Sequence, residues 1–306
     1  MSLLLDELRQ RQKEKVRKKN ICRRTMIVGL SLLLVFGSLI LYNVIIVNRH
    51  IGITYYTCYS GKIQEPVRLA LLADLHNKEY GENNAELLDK IRAQNPDLIV
   101  VAGDMVMKND LDVSVAVRLC REMIKIAPVY YQYGNHESML MRYGINGDKV
   151  PIDEYLEKEG VHFFYNDYCT VETNGNAIDI AGISVNTENY SLWAEDMMKK
   201  FEKSNHFKLL LSHYPSLYYD TLYSVDIDLA VAGHYHGGVV RIPGFGGLYH
   251  IDDGFFPRYA GGQYSLEKGE LIVSRGLGGH EIIPRINNGP ELVVIDLKRM
   301  EARGEK

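Results

Sequence analysis

Short apolar runs alternate with helix-like stretches along the chain from residue 67. VRLALLA, DLIVVA and VYYQY have the length of buried strands, whereas NNAELLDKIRAQ and VSVAVRLCREMIKI carry apolar residues at helical spacing. A strand–helix–strand order of this kind is typical of a sheet covered by helical crossovers. The pattern therefore predicts an α/β domain.

The second half of this domain carries more strand signals than helix signals. Two alternating runs flank Asn174-Gly175, a dipeptide that favours a tight hairpin turn. FKLLL, DLAVA, ELIVS and ELVVIDL follow, and one helix is predicted from about Ser191 to Lys203. We expect FKLLL and DLAVA to lie in a second sheet, and ELIVS and ELVVIDL to close the domain with β structure.

A longer apolar stretch precedes the domain. Met26 to Val47 comprises 22 uncharged residues, and about 20 suffice for a helix to cross a bilayer. Residues 1–25 carry nine Lys or Arg against three acids, and such a basic flank stays on the cytoplasmic side. We therefore predict a basic cytoplasmic tail (1–25), a transmembrane helix (26–47), a linker (48–66) and a catalytic domain (67–300) on the extracytoplasmic side of the cell membrane. Residues 48–66 could equally cover the edge of the domain.

A cleaved signal peptide is the alternative interpretation of the apolar stretch. It is disfavoured because the stretch is long for a signal sequence and because Asn48-Arg49-His50 offers no small-x-small cleavage site.

Charge and cysteine content exclude some classes of protein. The formal net charge of −4 includes the basic tail, so the remaining domain is acidic and a poor steady partner for nucleic acid. Cys22, Cys58, Cys120 and Cys169 form no C-x-x-C pair, so neither a zinc ribbon nor a thioredoxin motif is present. The sequence leaves the oligomeric state open.

Polar residues follow the apolar runs directly, at the strand ends that point into the ligand crevice of open α/β sheets. The blocks are Asp74-Leu75-His76, Gly103-Asp104, Gly134-Asn135-His136-Glu137, Ser212-His213 and Gly233-His234-Tyr235-His236-Gly237-Gly238. Carboxylate and amide oxygens and imidazole nitrogens bind divalent ions, and seven such ligands exceed the needs of one ion. Two metal ions are therefore predicted.

The order of these blocks resembles the calcineurin-like metallophosphoesterase superfamily, whose pattern is D-x-H, G-D, G-N-H-E, H and G-H-x-H. The resemblance covers most of the chain from about Val67 onward. The end of the chain, from Val273 through the glycine-rich loop after Arg275 to Pro290-Glu291, is similar to bacterial membrane-associated phosphodiesterases of that superfamily. The fold that this resemblance implies is a four-layer α/β/β/α sandwich.

The resemblance also implies a role for each polar residue. The ligands of the first ion would be Asp74, His76, Asp104 and His236, and those of the second Asp104, Asn135, His213 and His234. Asp104 would bridge the two ions, and a shared water would lose its proton and attack phosphorus as a bridging hydroxide. His136 would be the catalytic residue that assists the leaving oxygen. The ligand set suits manganese, iron, zinc, cobalt or nickel.

The substrate class is narrowed by one departure from the family. Protein phosphatases of the superfamily carry Asp-Arg-Gly after the second block, whereas Met105-Val106-Met107 follows Asp104 here. The resemblance therefore favours a phosphodiesterase acting on a phosphodiester or pyrophosphate, with lipid-linked or cell-envelope phosphate esters as candidate substrates.

Two alternatives stay open. A lipid pyrophosphatase of the UDP-2,3-diacylglucosamine type shares the motifs, but its substrate is cytoplasmic, contrary to the predicted topology. A non-catalytic membrane-tethered module would keep the fold, but such a module is expected to have lost ligands, and all are present here.

The remaining candidates lie outside the blocks. Glu137 is predicted to support a neighbour or begin a helix, and Arg275 to contact phosphate or form a structural salt bridge. His280 is a candidate for the pocket lining. Histidines predicted to be surface or core groups are His50, His162, His206 and His250.

Overall fold

The structure is a computed structural model that describes residues 2–184, 189–279 and 284–300. It contains two compact units, residues 1–47 and residues 48–306.

The first unit consists of one long helix, α1 (Ser2–Ile45). Its apolar part presents large side chains to its surroundings on every side, among them Leu33 and Phe36. Among the described residues, this helix is long enough and apolar enough to cross a membrane. A signal sequence meets the same criterion, so the anchor at 26–47 stays a prediction.

The second unit contains the remaining elements that the described residues form. The helices are α2 (Ala85–Ala93), α3 (Ser114–Met123), α4 (Asn135–Arg142), α5 (Ile152–Lys158), α6 (Tyr190–Trp193) and α7 (Glu195–Phe201). The strands are β1 (Gly52–Ser60), β2 (Val67–Leu72), β3 (Leu98–Ala102), β4 (Val129–Gln132), β5 (His162–Phe163), β6 (Asp167–Thr173), β7 (Asn176–Ile183), β8 (Phe207–Ser212), β9 (Leu229–Ala232), β10 (Arg241–Ile242), β11 (Gly246–Gly247), β12 (Tyr249–His250), β13 (Gly254–Phe255), β14 (Gly262–Ser265), β15 (Glu270–Val273) and β16 (Glu291–Arg299).

Two six-stranded mixed sheets form the centre of this unit. The first has the order β1-β16-β2-β3-β4-β5 and the second β14-β15-β9-β8-β7-β6. Strands β2 to β5 run parallel, with Ala70 opposite Ile99, and β16 is antiparallel to β2. In the second sheet β7, β8, β9 and β15 run parallel, while β6 and β14 are antiparallel to their neighbours. The apolar runs that predicted strands all lie in these two sheets.

Three buried clusters separate four layers. Alternate residues of the first sheet, such as Leu72 and Val101, pack against α2 and α3. Their neighbours on the opposite face pack against the second sheet, as Leu69 and Leu209 do. The outer face of the second sheet packs against α7 through Phe201. The predicted α/β/β/α sandwich is therefore confirmed, because buried apolar residues cover both faces of each sheet.

Two details differ from the sequence-based expectation. The predicted linker at 48–66 contains β1, which pairs in parallel with β16 along its whole length. The sequence of β1 is rich in tyrosine and threonine and has no continuous apolar run, because an outermost strand buries few of its side chains. The helix expected between 191 and 203 is two helices, since Ala194 has a non-helical φ of −126°.

Candidate metal centre

The seven predicted ligands converge at the carboxyl ends of strands from both sheets. Each lies one to four residues beyond the last strand residue, where the backbone turns away from the sheet. Asp74 follows β2, Asp104 follows β3, Asn135 follows β4, His213 follows β8, and His234 and His236 follow β9. All but Asn135 are buried. The order of strands and motifs in the sequence therefore leads to one site.

One group of ligands consists of Asp74, His76 and His236. Their candidate donor atoms all lie within 4.8 Å of one another. The Nε2 atoms of His76 and His236 are 3.2 Å apart, and His236 Nε2 is 3.9 Å from Asp74 Oδ1. A carboxylate and two imidazoles that face one point are a donor set for a divalent ion.

A second group lies beside the first and consists of Asp104, His213 and His234. His213 Nε2 is 3.2 Å from Asp104 Oδ2 and 3.1 Å from His234 Nδ1. The Oδ1 atom of Asn135 is also 3.1 Å from His213 Nε2. These are the four residues that the sequence assigned to the second ion.

Asp104 lies between the two groups. Its Oδ2 atom is 3.2 Å from His213 Nε2 on one side and 4.0 Å from His76 Nε2 on the other. Its Oδ1 atom accepts a hydrogen bond from the backbone N–H of His136 at 2.9 Å, which fixes the carboxylate plane. Asp104 is thus in position to share its charge between two cations.

Hydrogen-bond partners identify the tautomers of two histidines. His213 Nδ1 is 2.7 Å from the carbonyl oxygen of Ala102, which can only accept, so Nδ1 carries a proton and the neutral ring has its lone pair at Nε2. The backbone N–H of Lys108 donates to His136 Nδ1 at 3.1 Å, so Nε2 of His136 carries its proton. His213 could therefore coordinate a metal ion through Nε2 in this tautomer, whereas His136 could donate a hydrogen bond from Nε2.

The electrostatics of the site favour positive charge. Burial raises the pKa of Asp74 to about 7, partly offset by His213. Burial also opposes ionisation of Asp104, but His213, His136 and His76 hold its pKa well below the usual range. For His213, burial lowers the pKa, yet the charge of Asp104 raises it to about 9. The negative charge of Asp104, which favours a cationic His213, would also attract a metal cation at the same place.

Backbone conformation marks the same residues. Five of the predicted ligands have positive φ: 52° at Asp74, 51° at His76, 55° at Asp104, 72° at His234 and 48° at His236. Left-handed backbone costs a residue with a Cβ about 1–2 kcal/mol, and such conformations cluster at functional sites. The residue types, their burial and the positions of their donor atoms all fit two divalent ions.

Glu137 holds the loop that carries Asp104. The buried carboxylate accepts hydrogen bonds from the backbone N–H groups of Asp104 at 3.0 Å, Met105 at 2.7 Å and Gly134 at 2.9 Å. It also accepts the hydroxyl of Tyr131 at 2.7 Å. Glu137 thus has the predicted supporting role, because its hydrogen bonds join the loop after β3 to the loop after β4.

Two glycines allow this loop to approach its neighbours. Gly103 has a φ of 85°, and a Cβ there would lie 2.5 Å from Gly134 N and 2.8 Å from His213 Nδ1. A Cβ on Gly134 would lie 2.8 Å from Asp104 N. Any side chain at either position would displace a ligand or its support.

The candidates outside the motifs have different outcomes. Arg275 forms a salt bridge with Glu291, Nε to Oε2 at 2.8 Å, which is the structural alternative of the two predicted. His50, His162 and His206 are exposed, as expected. His280 lies outside the described residues.

His250 and Asp252 belong to the surroundings of the site, and sequence reasoning missed them. The His250 ring is buried 4.8 Å from the ring of His234, and Asp252 Oδ2 is 2.6 Å from His234 Nε2. They lie on the β12–β13 hairpin, which is separated from the motif by a glycine-rich stretch. No local pattern marks them, because their contact arises only when this hairpin folds back.

Comparison with protein families gives a match over most of the domain. Residues 67–238 match the model of the family described as calcineurin-like phosphoesterase. That range begins at β2 and ends just after His236, so it includes all seven predicted ligands.

Individual relatives agree with this match. An uncharacterized metallophosphoesterase of Campylobacter jejuni, Cj0846, is 30% identical over 244 residues, which cover 77% of this chain and 60% of that protein. Phosphodiesterase YaeI of Escherichia coli is 26% identical over 76% of this chain and 82% of its own length. Among solved structures, a 5'-nucleotidase precursor from Thermus thermophilus has a TM-score of 0.45 at 15% identity, covering 70% of this chain and 50% of that one.

Proposed function

This chain belongs to the calcineurin-like phosphoesterase family, and from that premise we propose that it is a membrane-anchored hydrolase that uses two divalent ions to cleave phosphodiester or pyrophosphate bonds. The observation that carries the proposal is the position of Asp104 between two buried ligand groups. Asp74, His76 and His236 would hold one ion with Asp104, and Asn135, His213 and His234 the other.

When bound, two such ions offset charge on the phosphoryl oxygens and make water acidic enough to be a nucleophile near neutral pH. The protein's own groups do the rest. Asp104 keeps its carboxylate facing both groups because His136 N–H binds its other oxygen. His136 Nε2–H, 3.9 Å from Asp104 Oδ2, could donate a hydrogen bond to the departing ester oxygen and stabilise the charge that develops there. Lys108 N–H keeps that tautomer.

Two observations favour diesters over protein phosphomonoesters. The chain lacks the Asp-Arg-Gly sequence after Asp104, and 76% of it is similar to a protein named a phosphodiesterase. We therefore take a phosphodiester as the first substrate to test.

The decisive assay uses the full-length chain in detergent, with bis-p-nitrophenyl phosphate and p-nitrophenyl phosphate as substrates. We expect Mn²⁺-dependent cleavage of the diester, loss with EDTA and recovery when Mn²⁺ is restored. Asp104→Asn should lose both ion binding and turnover. His136→Ala should keep both ions while kcat falls by about 10²–10³, the usual effect of removing one hydrogen-bond donor to a developing oxyanion.

The matched control is His162→Ala, which removes an exposed histidine outside the site and should leave kcat unchanged. A folded protein that holds two ions and hydrolyses neither ester would contradict the proposed reaction. A protein that binds no divalent ion would contradict the metal centre itself.

The proposed membrane location rests on the apolar helix and the basic tail before it. Cys22 offers a test, because it is exposed within that tail, while Cys58 and Cys120 are buried. In a Cys169→Ser background, we expect a membrane-impermeant maleimide to label Cys22 only after the cells are permeabilised. Labelling in intact cells would place the tail outside, and a mature protein without Cys22 would indicate cleavage.

A lipid-linked phosphate ester is the substrate class that we favour within this proposal. The hairpin whose Asp252 contacts His234 also exposes Ile251 and Phe255 to solvent at 81% and 71%. Apolar side chains beside a phosphate site suit an acyl chain. An acylated p-nitrophenyl diester in mixed micelles should therefore have a lower KM than bis-p-nitrophenyl phosphate, and equal KM values would contradict this preference.

A further inference from the structure

We infer that Asp252 is a positioning residue for His234, and that it orients this histidine as a ligand through Nδ1 for the second ion. The inference rests on the proposed function, since it concerns the same metal centre. Asp252 lies outside the residues 67–238 that match the family, so it adds a part to the site that the motifs do not contain.

The contact between the two side chains is short and specific. Asp252 Oδ2 is 2.6 Å from His234 Nε2. An ionised carboxylate only accepts, so Nε2 carries the proton and donates it to Asp252. A neutral imidazole protonated at Nε2 presents its lone pair at Nδ1.

The lone pair of His234 then faces the second ligand group. His234 Nδ1 is 3.1 Å from His213 Nε2, the atom that also faces Asp104 and Asn135. Carboxylates that bind the remote nitrogen of a metal-bound histidine fix its tautomer and raise its basicity. The pair Asp252–His234 has this arrangement.

The hairpin that carries Asp252 is held against the site. His250 pairs with Gly254 across β12 and β13, and the His250 ring packs 4.5 Å from Tyr235 and 4.8 Å from His234. The backbone N–H of Asp252 donates to His250 Nδ1 at 3.3 Å, and the hydroxyl of Tyr219 donates to Asp253. Asp252 therefore reaches His234 from a fixed turn.

The two histidine ligands of the second ion are supported in different ways. His213 is fixed by the backbone carbonyl of Ala102 in the buried core. His234 depends on a side chain that is 56% exposed and belongs to a hairpin. A substitution at Asp252 can therefore weaken the binding of one ion without disturbing the fold or the ligands of the other ion.

The test is binding of Mn²⁺ to the metal-free full-length protein by titration calorimetry, independent of turnover. We expect two sites in the wild type. Asp252→Ala should weaken one of them by about 10–100-fold, the usual effect of removing such a partner, and leave the other unchanged. Asp252→Asn, which still accepts but without charge, should give a smaller loss.

Asp253→Asn is the matched control, because it changes the adjacent carboxylate, which binds Tyr219 instead of His234, while the amide oxygen of asparagine still accepts the hydrogen bond from Tyr219 that fixes the turn. It should bind both ions as the wild type does, and thermal melts of all metal-free proteins should coincide. Equal affinities in Asp252→Ala and wild type, or equal weakening of both ions, would overturn the inference alone. A wild type that binds no ion would overturn the proposed function and the inference with it.

Discussion

Glu137 illustrates how one buried side chain supports a reactive one. Four donors converge on its carboxylate, three of them backbone N–H groups of the loops that carry Asp104 and Gly134. Burial raises the pKa of Glu137, and the nearby charge of Asp104 raises it further. Glu137 therefore loses hydration on folding, and its hydrogen bonds fix the position of Asp104.

Glu137→Gln should lower the free energy of unfolding by roughly 3 kcal/mol. The amide nitrogen of glutamine would replace an oxygen that accepts two hydrogen bonds, and each buried donor left without an acceptor costs about 1–3 kcal/mol. Urea denaturation of the metal-free protein measures this change. Glu159→Gln, at an exposed pair with Arg121, should stay within about 1 kcal/mol of wild type, and a similar small loss in Glu137→Gln would contradict the role of these hydrogen bonds.

Single residues also mark where prediction from sequence succeeds and fails. The seven ligand positions were predicted because their blocks follow apolar runs and resemble the motif order of the family. The structure brings these side chains together. His250 and Asp252 could not be predicted, because their proximity to His234 depends on the path of a glycine-rich hairpin. Arg275 was ambiguous in the sequence, since only the fold places Glu291 beside it.

At the scale of elements, cross-strand pairs tie the first sheet together. Arg68 on β2 lies opposite Asp296 on β16, and its guanidinium binds both carboxylate oxygens, at 2.7 and 3.1 Å. The hydrogen bond from Arg68 holds the pKa of Asp296 below its usual range. This pair links the long C-terminal strand to the strand that precedes the first motif.

Stability should therefore depend on pH through this pair. A carboxyl group whose pKa is lowered by folding stabilises the native state above its unfolded pKa of about 3.9, and this contribution is lost as the pH falls through the lower native value. We expect Asp296→Asn to be less stable than wild type by up to about 1 kcal/mol at pH 7. The difference should vanish near pH 2, and a difference that does not change between pH 7 and pH 2 would contradict this origin.

Elements with a continuous buried face were the predictable ones. β2, β3, β8 and β9 are apolar on both sides and were visible as runs. β1 was missed because its exposed tyrosines break any run, although its backbone pairs fully with β16. The break at Ala194 was also missed, because its alanine is a good helix former and carries no sequence signal for a chain break.

At the scale of the whole molecule, the catalytic unit joins two sheets so that their carboxyl ends meet. Motif order in the sequence predicts that the ligands share a site, but the alignment of the two sheets is set by the buried layer between them. The layer order could be expected from the family resemblance and from the alternation of strands and helices. The extent of the unit could not be predicted, because the unit begins at Asn48, whereas the apolar runs start at Val67.

The early start of the unit has a consequence for the protein's solubility. β1 covers β16 from Gly52 opposite Glu291 to Ser60 opposite Arg299. A fragment that begins at Val67 would leave this side of β16 with a row of unpaired N–H and C=O groups, which is a template for another chain. We expect that fragment to aggregate in light-scattering measurements at concentrations where a fragment from Arg49 does not, and equal scattering would contradict the expectation. The segment that the sequence presents as a connector to the membrane would then also be the protein's protection against self-association.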